Sequence, residues 1–182
     1  MKKIILFVVV LGLAGAGFFY WWNNQADVRE LNKTLPEGVK VVKSLFGNEY
    51  KVVNKIDGYE FKIPSEWKGI KEIEYIPERE AEEYKVASIW FENQDRKDVG
   101  VDVYKEVDTD LETWARELLD TFGLNGLLEK ETIEGLNILK VKDEEYLGGT
   151  YVYFLKSDST IIYVFSSGSE EFIHYIITNG KW

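Results

Sequence analysis

The chain has 182 residues, of which 45% are hydrophobic and 15% aromatic, so one domain can fold without covalent staples. It contains no cysteine, which excludes disulfides, thiol catalysis, thiolate metal sites and a lipid-modified N-terminal cysteine. The formal charge of −10 and the lack of a basic patch predict no nucleic-acid partner. The acidity is expected to keep the surface solvated, and attraction of cations or a basic partner is the alternative.

The chain begins with a hydrophobic segment. After Lys2 and Lys3, the run from Ile4 through Trp22 contains 19 uncharged residues, and a helix of that length spans ~28 Å, close to the hydrocarbon core of a bilayer. The two lysines favour a cytoplasmic N-terminus, and the aromatic residues 18–22 are typical of the opposite headgroup boundary. We therefore expect residues 1–22 to anchor the chain in a membrane and the rest to be extracytoplasmic.

The alternative for this segment is a cleaved secretory signal. Ala14, Gly15 and Ala16 supply the small residues that a signal peptidase requires. Cleavage after Ala16 leaves an exposed apolar N-terminus with no evident use, so the sequence favours retention. Both interpretations place the domain outside the cytoplasm, and cleavage predicts a secreted protein.

Residues 23–38 are polar and are expected to form a tether between the anchor and the domain. Val28, Leu31 and Leu35 recur at helical spacing, which favours a short helix at the membrane surface. The alternative is a plain tether without structure. The domain itself is predicted to occupy residues 39–182.

The first half of the domain reads as strands. Short runs of strand type occupy residues 39–43, 50–55, 59–63, 86–91 and 99–104. Asp57-Gly58 predicts a tight hairpin turn, and Ile70 to Ile76 indicates another extended piece. Residues 77–84, which read PEREAEEY, are predicted to be a solvated helical turn or a mobile loop.

The second half begins with the clearest helix, over residues 111–122. Thr109 and Glu112 form a capping box at its start, and Gly123 supplies a left-handed stop. Four more strands follow, and a short helix capped by Ser169 ends near Ile177; the strands are predicted at residues 127–133, 137–141, 150–155 and 160–165. Because no strand–helix alternation repeats, the sequence predicts an α+β domain with an antiparallel sheet flanked by helices.

One stretch resembles a known family. Gly58-Tyr59-Glu60-Phe61-Lys62-Ile63-Pro64-Ser65-Glu66-Trp67 is similar to the opening of PsbP-like domains, which typically read Gly-Tyr-x-Phe-x-x-Pro-x-x-Trp. The helix, strand meander and closing helix that follow repeat the order of that family over roughly residues 50–182.

The resemblance implies a PsbP-like α/β/α sandwich and an accessory role, here of the membrane-tethered prokaryotic type. The family includes a photosystem II subunit of the thylakoid lumen and a nuclear Ran-binding protein. It supplies no binding residue that can be carried over to this chain, and its photosynthetic role does not transfer, because a fold does not fix a function.

The sequence contains little recognisable chemistry. His174 is the only histidine, no Gly-x-Ser-x-Gly elbow accompanies it, and zinc sites normally need several His or Cys ligands. Two acidic turns lack the spacing of a calcium loop and are expected to be solvated hairpin tips; they contain Glu92, Asn93, Asp95 and Asp98, and Asp143, Glu144 and Glu145. No catalytic, cofactor-binding or metal-binding residue is therefore predicted, and Trp182 is expected to pack over the sheet edge.

The leading hypothesis from the sequence is a non-enzymatic, membrane-tethered, extracytoplasmic binding or accessory domain whose partner is a protein or an envelope component. One alternative is a carboxylate-based hydrolase of cell-envelope polymers, which predicts a cleft with two acids of perturbed pKa. Another is a domain that binds a small ligand or calcium.

Overall fold

A long helix and two antiparallel sheets make up the chain. The computed structural model describes residues 2–44, 49–67, 69–81, 84–95, 97–121, 123, 127–143 and 149–182. Helix α1 (Lys2–Asn24) leads into an α+β domain with antiparallel sheets, and this part of the predicted fold class is confirmed. Over the residues described, no helix combines the length and the apolar composition that a membrane crossing requires.

The smaller sheet has three strands in sequence order: β1 (Val39–Lys43), β2 (Tyr50–Asn54) and β3 (Tyr59–Ile63). The first and third match the predicted bounds, because buried and more exposed residues alternate along them as the sequence pattern requires. Gly58 has a φ of +82° and completes the predicted turn before β3. Helix α2 (Ala26–Asn32) packs on β1 and buries Val28, so the short helix predicted between anchor and domain is present.

The larger sheet has seven described strands, and every neighbouring pair is antiparallel. In chain order they are β4 (Glu72–Ala81), β5 (Tyr84–Glu92), β6 (Asp98–Lys105), β7 (Glu129–Ile133), β8 (Leu136–Asp143), β9 (Thr150–Lys156) and β10 (Ile162–Ser167). Their spatial order is β4-β5-β6-β10-β9-β8-β7. The chain therefore inserts β10 between β6 and β9 instead of adding strands in sequence.

The prediction for residues 77–84 is wrong. Strand β4 continues to Ala81, and Tyr84 already belongs to β5; residues 82 and 83 lie outside the described residues. The pairing register shifts between Ile76 and Arg79, and this irregularity accommodates Pro77, which has no N–H for the ladder. The dense charge that suggested a loop belongs instead to an exposed edge strand.

Two helices cover opposite faces of the larger sheet. Helix α3 (Leu111–Thr121) buries Trp114, Ala115 and Leu119 against one face, which carries Phe154 and Val164. Helix α4 (Glu170–Thr178) and the smaller sheet share the other face, where the main core lies. Successive strand residues point to opposite faces, so each central strand contributes to both cores.

The N-terminal cap of α3 differs from the predicted one. Asp110 Oδ1, and not the predicted Thr109, accepts hydrogen bonds from the backbone N–H groups of Glu112 and Thr113, at 3.1 and 3.0 Å. The Glu112 carboxylate pairs with Arg116 and Lys130 at 2.9 and 2.8 Å instead of folding back on the cap. Aspartate is preferred over threonine at a helix N-cap, which agrees with the shift of the cap by one residue.

The other helix ends confirm their predictions. Gly123 has a φ of +69°, as a left-handed stop requires. Ser169 Oγ accepts from the backbone N–H of Phe172 at 3.4 Å and caps α4.

Aromatic rings fill the space between the two sheets. The Trp182 ring packs against Tyr59 and Phe61 of the smaller sheet and against Tyr163 and Phe165 of the larger one, with centroids 4.7 to 5.7 Å apart. Trp182 is partly buried and packs between the two sheets, against the main core, instead of over the predicted sheet edge. These ring pairs fix the distance between the sheets, and with it the position of α4.

Candidate functional site

Five polar side chains converge where α4 crosses the β7 end of the larger sheet; we call this group the His174 cluster. Its members are Glu131 from β7, Lys140 from β8, Tyr153 from β9, and Glu170 and His174 from α4. The strand residues all belong to the face that carries Ile133 and Ile138, beneath α4. Glu170 and His174 are four residues apart, so both lie on the same side of the helix.

Tyr153 lies at the centre of the His174 cluster. Its hydroxyl donates to Glu170 Oε1 at 2.7 Å and lies 3.1 Å from His174 Nε2. The same His174 nitrogen is 3.3 Å from Glu131 Oε1. One nitrogen of the imidazole therefore lies close to both a phenolic oxygen and a carboxylate oxygen.

Lys140 carries the one ammonium of the cluster. Its Nζ lies 3.0 Å from Glu170, 3.3 Å from Glu131 and 3.9 Å from the neighbouring Glu129. With His174 counted as neutral, three carboxylates around one ammonium leave a formal charge of −2. The group is therefore only partly neutralised.

The pKa values reflect these contacts. The hydrogen bonds from Tyr153 and then from Lys140 lower the pKa of Glu170 and keep it ionised. The bond to Glu170 raises the pKa of Lys140, and burial opposes this only in part. Burial, followed by the bond to Glu170, raises the pKa of Tyr153, so its hydroxyl remains a donor.

One oxygen of the cluster has no hydrogen bond. Glu131 Oε2 is buried from solvent, and Lys140 Nζ, 3.3 Å away, lacks the orientation of a hydrogen bond to it. A cavity of about 330 Å³ adjoins the cluster and is lined by Glu129, Lys140, Tyr151 and Glu170 among others. Glu131 does not line this cavity, so the carboxylates that an entering cationic group meets are those of Glu129 and Glu170.

Two kinds of ligand suit this geometry. A basic side chain can enter the cavity and pair with Glu129 and Glu170. A divalent ion is the other, since oxygen and nitrogen atoms of Glu131, Glu170 and His174 lie within 4.8 Å of one another. An ion there has to displace the Lys140 ammonium, which already occupies the space between the two carboxylates.

A carboxylic acid with a raised pKa, which the hydrolase hypothesis requires, lies outside the His174 cluster. Burial raises the pKa of Asp102, and the hydrogen bond from Ser88 and the charge of Arg79 lower it by less. Its strand neighbours Val101 and Val103 belong to the main core, so Asp102 lies on the α3 face, opposite the His174 cluster. The described residues thus do not join a raised-pKa acid to a second carboxylate in one cleft, which is the arrangement that the hydrolase hypothesis needs.

A larger cavity, of about 450 Å³, lies on the α3 face and is lined by Glu112, Lys130 and Thr132 among others. Glu112 and Lys130 pair with each other across it at 2.8 Å. This pair satisfies two of its charges, and Asp110 and Glu131 line the cavity as well. The smaller cavity adjoins both Lys140 and Glu170 of the His174 cluster and is the candidate site.

The two acidic turns considered for calcium have different outcomes. Asn93 is 1% exposed, and its side-chain oxygen accepts from the backbone N–H groups of Asp95 and Lys97, both at 2.9 Å. Glu92 pairs with Lys71. The first turn therefore uses these groups for its own fold. In the second, the side chain of Asp143 and residues 144 and 145 lie outside the described residues.

A second polar group lies between the sheets, and we call it the Asp57 network. The Asp57 side chain is fully buried and accepts from Asn54 Nδ2 at 2.8 Å, Tyr75 Oη at 2.9 Å and Lys105 Nζ at 2.8 Å. Lys105 also pairs with Glu78 at 2.7 Å. The network links the β2–β3 turn to β4 and β6, so its role is to hold the two sheets together.

Sequence reasoning did not find the His174 cluster. It considered His174 alone, and the cluster places Glu131 and Glu170 beside it. The local signals were the four-residue spacing of Glu170 and His174 and the alternation of Glu129 with Glu131. Neither signal predicts that β7 and α4 meet.

Comparison of the chain with protein-family models, with curated proteins and with solved structures finds no match.

Proposed function

We propose that the chain is a non-enzymatic binding domain tethered to the outer side of a membrane, and that its partner is a protein or another envelope component. The observation that carries this proposal is the incompletely neutralised His174 cluster beside its cavity. A negative site of this kind attracts a basic group, and carboxylates form strong hydrogen bonds to Lys or Arg. The partner therefore presents a basic side chain.

The tether is the segment from Ile4 through Trp22. Its support is the run of 19 uncharged residues after Lys2 and Lys3, together with the aromatic residues at its far end. The intact mass of the protein from a membrane fraction tests it. Loss of the first 16 residues overturns the anchor and makes the domain a secreted one; digestion of the domain by protease added to intact cells supports the outward orientation.

For the fold we propose a PsbP-like α/β/α sandwich. Two features support it: α3 and α4 lie on opposite faces of an antiparallel sheet, and the motif residues Tyr59, Phe61 and Trp67 are at most 6% exposed. The accessory role implied by the resemblance agrees with a binding function and names no partner.

The binding proposal is tested by crosslinking in intact cells, followed by purification of the chain. A double variant, Glu129→Gln with Glu170→Gln, removes the two carboxylates that line the cavity and is compared with the native chain and with an anchor-only control. Glu117→Gln with Asp120→Asn on α3 makes the same charge change on the opposite face. We expect the first double variant alone to lose the crosslinked partner. Equal capture by both double variants overturns the assignment of the site.

A divalent metal ion is the second candidate ligand, favoured by the convergence of Glu131, Glu170 and His174 within 4.8 Å. Because calcium takes oxygen ligands and zinc accepts imidazole nitrogen, this ligand set favours zinc. After treatment with a chelator, added zinc raises the melting temperature of the native chain and not that of His174→Ala. Equal shifts in both proteins, or none, remove this candidate, and a shift with calcium alone points to a different site.

A further inference from the structure

The segment between the hydrophobic helix and the sheets is fixed to the domain. Val28 of α2 is 4% exposed and belongs to the main core. The Asn32 side chain donates to Val41 O at 2.9 Å and accepts from Val41 N at 2.7 Å, as a neighbouring strand does. Residues that were predicted as a tether are therefore packed against, and hydrogen-bonded to, strand β1 of the smaller sheet.

The end of α1 is hydrogen-bonded to the end of β1, the strand that contains Val41. Asn24 Nδ2 donates to Ser44 O at 3.5 Å, and Gln25 Nε2 donates to Lys43 O at 3.2 Å. The strand end at Ser44 therefore lies beside the last turn of α1.

Asp27 reinforces this junction. Its carboxylate accepts from the Tyr50 hydroxyl at 2.5 Å and from Lys43 Nζ at 3.1 Å. Burial raises the pKa of Asp27, but these bonds outweigh burial and the net pKa is lowered. The carboxylate thus stays ionised and joins α2 to both β1 and β2.

An exposed aromatic patch precedes the junction. The five side chains at positions 18–22 are between 39% and 67% exposed. The Arg29 guanidinium stacks over the Trp22 ring, 3.9 Å from its centroid, and donates to Trp22 O at 2.6 Å. Within the described part of the chain, no carboxylate pairs with Arg29, so its charge is available to an anion.

We propose that the domain is held directly on the bilayer surface, with the end of the smaller sheet at Ser44 and Glu49 against the lipid headgroups and Arg29 bonded to a lipid phosphate. The inference rests on the proposed anchor. Aromatic rings at the end of a membrane segment settle at headgroup level, which is where lipid phosphates lie. A guanidinium donates two parallel hydrogen bonds to phosphate oxygens, and one stacked on Trp22 is already oriented for this.

The absence of cysteine from the sequence allows a direct test on the full chain. Glu49→Cys and Lys55→Cys place one fluorescent label at each end of the smaller sheet, six residue steps or ~20 Å apart along the chain. Each protein is placed, one copy per disc, in phosphatidylcholine nanodiscs that carry a spin-label quencher on the headgroup. We expect several-fold stronger quenching at position 49 than at position 55.

Variants of the junction sharpen the test. Asn32→Ala removes both bonds to Val41 and is expected to bring the two quenching values together, because the domain then moves away from the surface. Arg29→Gln lowers quenching at position 49, and Arg29→Lys restores part of it. Glu117→Gln on α3 is the control and leaves both values unchanged.

The possible failures are distinguishable. Loss of the chain from the nanodiscs contradicts the proposed membrane anchor. A chain that remains but shows equal quenching at both positions overturns this inference and leaves the anchor intact. Strong quenching at position 49 that is insensitive to Arg29→Gln overturns the phosphate contact. Discs that recruit a second copy through the aromatic patch assign that patch to self-association instead of lipid.

Discussion

The Asp57 network and the His174 cluster use the same kinds of side chain for different purposes. Each combines carboxylates, a lysine and a tyrosine that donates to a carboxylate. The Asp57 side chain is fully buried, whereas that of Glu170 is 37% exposed and has a cavity beside it. Burial and complete pairing make the first group structural, while partial exposure and excess negative charge leave the second able to bind.

The largest expected effect comes from Asp57→Ala. The substitution leaves Lys105, Tyr75 and Asn54 without their common acceptor between the sheets, and removing one partner of a buried ion pair costs ~3–5 kcal/mol. Urea denaturation followed by tryptophan fluorescence measures the loss. Asp57→Asn keeps an acceptor oxygen and should cost less. A loss below ~1 kcal/mol, as for an exposed pair, contradicts a structural role for the network.

Tyr75→Phe is expected to have a smaller effect, ~1 kcal/mol, because it removes one hydrogen bond to Asp57. Burial and the bond to Asp57 raise the pKa of Tyr75 to about 12. Because the pKa of Tyr75 is higher in the folded chain than in the unfolded chain, its hydroxyl contributes to stability at any pH below the unfolded pKa. This contribution is lost as the pH rises through the folded pKa of about 12. Tyrosinate absorbance during an alkaline titration should show this step in the native chain and not in Tyr75→Phe.

Glu131→Gln should change the free energy of unfolding by less than ~1 kcal/mol in either direction, because it acts in a partly exposed group and relieves repulsion between carboxylates. The same variant weakens capture of a basic partner. Separation of the two readouts is the outcome that distinguishes a binding cluster from a structural one. A loss of stability as large as that of Asp57→Ala removes the distinction drawn above.

The smallest expected effect is on the stability of the chain at acidic pH. The pKa of Glu170 is lower in the folded chain than in the unfolded chain, so its ionised carboxylate contributes to stability at any pH above the unfolded pKa. This contribution is lost as the pH falls through the folded pKa. Below neutral pH the native chain should therefore lose slightly more stability than Glu170→Gln does. Chemical-shift titration of the Glu170 carboxyl carbon measures the pKa directly, and a value above that of a free glutamate contradicts the expected ion pair with Lys140.

The smaller sheet shows what the sequence can predict. Strands β1 and β3 have the predicted bounds because each is a local pattern: apolar and charged residues alternate strictly along β3, and β1 is a short run rich in valine. The first half of β4 lies in the extended piece predicted from Ile70 to Ile76, whereas its second half, from Pro77 to Ala81, was missed because its charged residues lie at an exposed edge, where no such alternation is required. The cap of α3 was displaced by one residue, since Thr109 and Asp110 both have suitable side chains.

The His174 cluster shows what the sequence cannot predict. Lys140 and Glu170 are 30 residues apart, and Tyr153 and Glu170 are 17 apart, on three different elements. Their meeting depends on the insertion of β10 between β6 and β9 and on the packing of α4 against the sheet. Only Glu170 and His174 share a local spacing, and a single Glu–His pair on a helix is too common to indicate a site.

The charged edge of the larger sheet has a consequence for proteins held close together. An unpaired strand edge is a template on which a second copy can add its own strand. Strand β4 exposes Glu72, Glu74, Glu78 and Arg79 and contains the shift at Pro77, while β7 ends the opposite side with Glu129 and Lys130 exposed. Where copies lie close together, these charged borders, one of them with an irregular register, disfavour the pairing of one sheet with the next.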